Sequence, residues 1–221
     1  MRVLSEIEAR SISDRLRQDI LSGVFPFGGR LKIDELAARY TTSHMPIREA
    51  LRQLQGEGLV NVEPNRGARV RAVDADFVRD LFDLRIALEA MLARRAAERI
   101  GADQIEEIRR IESDLEASAA RSDFAGVLAA NQAFHAVIND AAGNIEAIRI
   151  LDRHWNIIVA LWGRHGYGEE RVAGVISDHR QIIVALSQRD AEGAAILQTA
   201  HAAKAKQEML RKIRTAGAAP Q

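Results

Sequence analysis

From Asp74 onward the sequence carries one helical segment after another and no competing strand signal, which leaves an all-α arrangement as the fold for most of the chain. The spacing predicts helices over about 74–99, 103–121, 123–141, 145–163, 169–187 and 190–214. Gly101, Gly143 and the Gly163–Gly168 stretch stand as stops, and Asp103, Asp123, Asn144 and Asp190 stand where N-caps belong.

The N-terminal part reads differently. Ile12, Leu16, Ile20 and Leu21 fall at helical spacing over residues 10–22, and Gly23 with the Pro26–Gly29 run ends that segment. Ile33, Leu36, Ala37 and Tyr40 mark a short second helix, followed by the polar break Thr41-Thr42-Ser43. A third helix starts almost at once, with Pro46 in its first turn and Ile47, Ala50, Leu51 and Leu54 as its apolar stripe. Leu59–Glu63 and Ala68–Arg71 read as strands joined through the turn Pro64-Asn65-Arg66-Gly67. Three short helices and a hairpin form a winged helix-turn-helix pattern. The expected organisation is a mainly α protein with a winged helix-turn-helix over 1–72, an all-helical bundle domain over 73–215 and a frayed tail over 216–221.

Composition narrows the function classes. With no cysteine, thiolate metal sites, disulfides and cysteine nucleophiles are out, and a reducing cytoplasm is the expected compartment. No stretch reaches the roughly 18 apolar residues that span a bilayer, so no membrane partner is expected. Net charge is zero, yet residues 1–72 hold 12 Lys+Arg against 9 Asp+Glu and the remainder 19 against 22. A mildly basic head on an acidic body permits DNA binding without demanding it. There is no HExxH, no nucleophile motif and no Gly-rich phosphate loop, so the chain does not read as an enzyme.

In a helix-turn-helix the second helix of the pair enters the major groove and shows base edges the side chains of its N-terminal half. Here that half is Ser43 to Arg48: Arg48 is placed for a bidentate contact to guanine, Arg52 one turn on for phosphate, and Ser43 and His44 for base or backbone. Arg66 and Gly67 at the wing tip suit a minor-groove or backbone approach. Each arginine alone is equally a solvated helix face; their company with the hairpin favours DNA. The run Met45–Arg52, then Leu54, Glu57–Val60 and Arg66–Val70, together with Leu21-Ser22-Gly23 and the Pro26–Leu31 turn, resembles the DNA-binding domain of the GntR family of bacterial transcription regulators over about residues 10–72. Where that family usually has Arg followed by Thr, this chain has His44-Met45, and Asp34 stands near a further charged contact of the family.

Asn131 and His135 are four apart on one expected helix and share a face, while His179 and His201 lie on two later helices. Three imidazoles and one oxygen donor suit Zn²⁺, Ni²⁺ or a similar divalent ion with positions left open, although scattered histidines are more often structural or exposed. Phe134-His135, Ala142-Gly143-Asn144, Asp178-His179 and His201 resemble the FCD ligand-binding domain of the FadR-like subfamily, over about residues 77–210. The resemblance implies a metal site with ligands at Asn131, His135, His179 and His201, where Asn131 fills the place of an Asp. It also implies that Arg85, in the segment Asp83–Glu89, faces the ligand pocket as the effector-binding residue; its alternative reading is a surface ion pair with Glu89. Some of His154, Trp155, Asn156, Trp162, Arg164 and His165 read as residues that shape ligand choice, while Trp155 and Trp162, seven apart, read more readily as core or dimer packing.

The reading implied is a homodimeric, ligand-responsive regulator that binds a palindromic DNA operator, its affinity set by a small carboxylate effector at a divalent-metal site. Two rivals stay open: a metal-free or architectural DNA-binding protein whose helical domain only dimerises, and a metal-dependent enzyme, which would need a carboxylate base beside the metal.

Overall fold

The computed structural model describes residues 2–63 and 67–217. In chain order the elements are α1 (Arg2–Leu21), β1 (Arg30–Leu31), α2 (Ile33–Tyr40), α3 (His44–Gly56), β2 (Val60–Glu63), β3 (Gly67–Val70), α4 (Ala75–Arg99), α5 (Ala102–Ala120), α6 (Phe124–Ala142), α7 (Ile145–His165), α8 (Glu169–Ser187) and α9 (Ala191–Gly217). They pack as two compact units, one of Met1–Asp74 with Arg153–Arg164, the other of Ala75–Asp152 with His165–Gln221.

The first unit buries Leu16 and Ile20 of α1 against Ile47, Leu51 and Leu54 of α3. Polar ties fix the same pair of helices. The buried Ser13 hydroxyl donates to Gln53 Oε1 at 2.9 Å, and the Arg17 guanidinium forks onto Glu57 at 2.8 and 2.6 Å. The three strands are antiparallel in the order β1-β3-β2, with Val60 opposite Val70 and Leu31 opposite Ala68. The hairpin therefore gains a third strand, β1, which a two-residue segment with no alternation could not announce. Gly67 sits at φ +87°, and a Cβ there would lie 2.4 Å from the Leu31 carbonyl oxygen, so the close approach of β1 already requires glycine. In the same unit Arg164 donates to the carbonyls of Ile20 at 2.6 Å and Phe25 at 3.0 Å, and its guanidinium stacks 3.6 Å over Phe27. Arg164 thus serves this unit's packing, and Trp162 of the same unit is buried, in line with its reading as a packing residue.

The second unit is helical among its described residues. α4 packs along α9 and across α6, while α5 lies against α6 and α8. Small residues make the close approach possible: Ala93, Ala96 and Ala97 of α4 and Ala194 of α9 are buried around Phe134, Ile138 and Leu186. Helix ends follow their caps. Asp123 accepts from the Gly126 amide, Asn144 from Ala147 and Asp190 from Gly193, and Gly143 closes α6 at φ +67°. Several expected boundaries move: α9 runs past 214 to Gly217, into the tail expected to fray, and in the first unit α1 begins at Arg2, ahead of residue 10. Gly101, not Asp103, is the N-cap of α5, its amide held by Gln104 Oε1 at 3.1 Å, and α7 runs through Gly163 to His165.

Candidate metal centre and nucleic-acid face

The apolar stripes of five helices in the second unit are interrupted by polar residues. On α4 the stripe Val78, Leu81, Phe82, Leu92, Ala93 contains Arg85 and Glu89; on α5 Ile108 and Leu115 flank Glu112; on α6 Val127 and Ile138 flank Asn131 and His135. On α8 Arg171, Asp178 and His179 share the stripe with Val175 and Ile182, and on α9 Gln198 and His201 lie among buried alanines. Each of these polar residues is at most 7 % exposed. Burying so many is costly unless they bind one another or a ligand.

The three histidines converge. One ring nitrogen from each of His135, His179 and His201 lies within 4.8 Å of the others. His179 lies flat on Phe134, ring centroids 3.8 Å apart, which fixes its plane. Its Nδ1 meets Glu112 Oε2 at 2.8 Å, and His201 Nδ1 meets Asp178 Oδ2 at 3.3 Å; Lys204 holds the other Asp178 oxygen at 2.5 Å. When the carboxylate accepts from Nδ1–H, Nε2 keeps its lone pair for an ion. Buried and without a hydrogen bond are His135 Nε2, His179 Nε2 and, one turn before His135 on α6, Asn131 Oδ1. Burial lowers all three histidine pKa values, His135 to about 3, helped by the Arg171 charge and opposed at His135 by Glu89 and at His201 by Asp178. Neutral imidazoles with orphaned nitrogens fit a divalent cation of the Zn²⁺ type.

Arg85 is buried beside this cluster. Its Nε and Nη2 both donate to Glu89 Oε1, at 2.8 and 2.6 Å, and Glu89 Oε2 accepts from Gln198 at 2.9 Å. Burial pushes the Glu89 carboxyl up, but the Arg85 charge and the other partners outweigh it and hold the group below its ordinary range. The ion pair with Glu89, which the alternative reading of Arg85 put on the surface, is internal. Glu112, Gln198 and Arg171 carried no signal as isolated letters; the signal is a polar residue at a core position of a helical stripe.

In the first unit, Arg30, Lys32, His44, Arg48, Arg52 and Gly67 line a groove of about 580 Å³ beside α3 and the wing. Ile47, Ala50 and Leu51 turn inward, so Arg48 and Arg52 are left exposed on the outer face. Ser43 occupies the N-cap of α3 without a side-chain cap bond, and His44 Nε2 lies 3.2 Å from Asp34 Oδ1. Arg66 lies outside the described residues.

The model of the bacterial regulatory proteins of the gntR family matches residues 8–70, and that of the FCD domain residues 80–204. The HTH-type transcriptional repressor GlaR of Escherichia coli is 30% identical over 195 residues, 84% of this chain and 88% of that protein. YdhC, an HTH-type transcriptional regulator of Bacillus subtilis, is 26% identical over 186 residues, 82% of this chain and 81% of that protein. Among solved structures, McbR/YncC of E. coli superposes with a TM-score of 0.74 at 18% identity, covering 95% of this chain and 98% of that one. A putative GntR regulator of Rhodococcus sp. RHA1 gives 0.71 at 22%, covering 96% and 99%. At these identities the structural likeness concerns the fold.

Proposed function

The chain belongs to the gntR family of bacterial regulatory proteins and carries an FCD domain, and on that premise we propose that it is a homodimeric regulator whose grip on a palindromic operator is set by a small organic acid bound at a divalent-metal site. It is a transcriptional regulator, not an enzyme, as its family and relatives are. Among the described residues no helix is long and apolar enough to cross a membrane. Action on DNA in the cytoplasm agrees with this.

The observation that carries the reading is the buried trio of imidazoles with two orphaned nitrogens and the unpartnered Asn131 oxygen. His135, His179, His201 and Asn131 would hold the ion. Zn²⁺ or Ni²⁺ bound there would supply a Lewis-acid anchor for a carboxylate oxygen. Phe134 and Glu112 orient His179, and Asp178 orients His201, so the donor set is arranged before any ligand arrives. The Arg85–Glu89–Gln198 chain is a neutral, hydrogen-bonded polar network buried beside the histidines. At the DNA, Arg48 and His44 would read base edges, with Arg52, Ser43 and the wing residues Arg66 and Gly67 on the backbone. A ligand that binds one arrangement of the dimer more tightly shifts DNA affinity by that difference and no more.

Elemental analysis of the purified protein, paired with thermal-shift screening of carboxylic acids with and without chelator, tests this. Stoichiometric metal and stabilisation lost on chelation are expected. Metal that is absent and cannot be restored would overturn the metal site and favour a metal-free pocket.

A further inference from the structure

Arg171 stands on the core stripe of α8, two turns before Asp178 and His179, and its side chain is only 5% exposed. Its Nε is buried and makes no hydrogen bond. The carboxylate facing it, Glu208 Oε2, lies 3.8 Å away, outside hydrogen-bonding range. Tyr167 bonds to the same guanidinium. The contrast with Arg85 is direct: that fork already rests on Glu89.

Charge accounting points the same way. Arg85 is matched by Glu89, and Asp178 by Lys204. Three imidazoles and one amide are neutral donors, so a divalent ion among them is countered only from beyond them, by Glu112 on His179, and Arg171 adds another positive charge against the more distant Glu208. The positive field of Arg171 reaches all three imidazoles, whose protonation it opposes.

We propose that Arg171 is the anion-binding residue of this pocket, and that the pocket takes a dianionic acid, one anionic group on the metal and the other on the Arg171 guanidinium. This rests on the metal–acid reading above. Arg171 then contributes to acid affinity and selectivity, and not to metal retention.

The test uses the full chain loaded with Zn²⁺ and titrated calorimetrically with dicarboxylates from malonate to adipate, with acetate as the monoanionic control. Wild type is expected to bind the best dicarboxylate at least tenfold more tightly than acetate. Arg171→Gln should erase that preference while Zn²⁺ affinity stays the same or rises, because a repelling charge has gone. Arg171→Lys, which keeps charge and loses the fork, should lose at least threefold for the dicarboxylate with acetate unchanged, and it carries the test if the glutamine variant does not fold. A wild type with no dicarboxylate preference, or variants that keep it in full, overturns the proposal. If wild type retains no Zn²⁺, the metal reading fails by itself. Dicarboxylate-induced stabilisation of the chelated protein then decides: present in wild type and lost in Arg171→Gln supports the anion site, and any other pattern removes it.

Discussion

Oε2 of Glu112 lies 2.8 Å from Nδ1 of His179, and the two are carried on different helices, α5 and α8. Glu112 engages Nδ1 and leaves Nε2 for the proposed ion; its carboxyl, neutral up to about pH 8 in the metal-free chain, must give up its proton before Nδ1–H can donate to it, and outer partners of this kind are worth about 10- to 100-fold in metal affinity. Glu112→Gln is expected to weaken Zn²⁺ binding about tenfold and Glu112→Ala more, with helicity unchanged. Competition against a chromophoric chelator reads this directly; unchanged affinity in both variants would remove Glu112 from the site.

The chelated protein should be most stable near pH 6.5. Three histidines have folded pKa values below the unfolded one of about 6.5, so in that range the unfolded chain binds more protons and stability rises with pH. Glu112 has the opposite sign. Burial, then the neighbouring Glu116, pushes it to about 8 against the opposing Arg180, so the folded state holds the extra proton from about pH 4.3 up to 8. Below pH 6.5 three groups outweigh one; above it Glu112 acts alone and stability declines by on the order of 1 kcal/mol per pH unit. Urea melts from pH 5 to 8.5 check this, and Glu112→Gln should flatten the decline above pH 6.5.

Asn131→Asp replaces a neutral oxygen donor by an anionic one at a position 7% exposed. It is expected to tighten Zn²⁺ at least tenfold. The same change should destabilise the chelated protein, by about 1–3 kcal/mol, since a buried carboxyl then lacks its counter-charge. Equal metal affinity in the two proteins would mean that residue 131 is not a ligand.

Arg48→Ala should weaken operator binding by about 1–3 kcal/mol and relax preference at one base pair in each half-site, leaving metal content intact. His135→Ala should do the reverse, losing metal and ligand response while the isolated DNA affinity persists. Gel-shift titrations and elemental analysis of both variants separate the two sites. Normal operator binding by Arg48→Ala would place the reading helix elsewhere.

Most of the helical framework was legible because its signals are local: an apolar stripe, a cap at Asp123, Asn144 or Asp190, a left-handed glycine at Gly143. The convergence of the three histidines was legible only by their type and by resemblance, since α6, α8 and α9 bring them together from distant parts of the chain. Strand β1 was missed because two residues have no period and its partner lies some forty residues on, at Ala68 and Arg69. The alternative reading of Arg85, a surface ion pair with Glu89, has the partner right and the depth wrong, because i,i+4 spacing fixes the partner but not the burial. Glu112, Arg171 and Gln198 are hidden for the same reason: burial belongs to the packed bundle. Gly67 was read for close approach to DNA, while the nearer constraint is the Leu31 carbonyl in the neighbouring strand.

Asn131 and His135 occupy the same stripe of α6 as Phe134, Ile138 and Ala142, so the proposed ligand atoms are set into the hydrophobic core itself. An ion or acid held by them must be released before the bundle can melt. At a hundredfold excess over Kd, a ligand restricted to the folded state adds about 2.7 kcal/mol to the work of unfolding. The effector of this regulator can therefore be hunted with a heated cuvette and a chemical library, before its operator has been found.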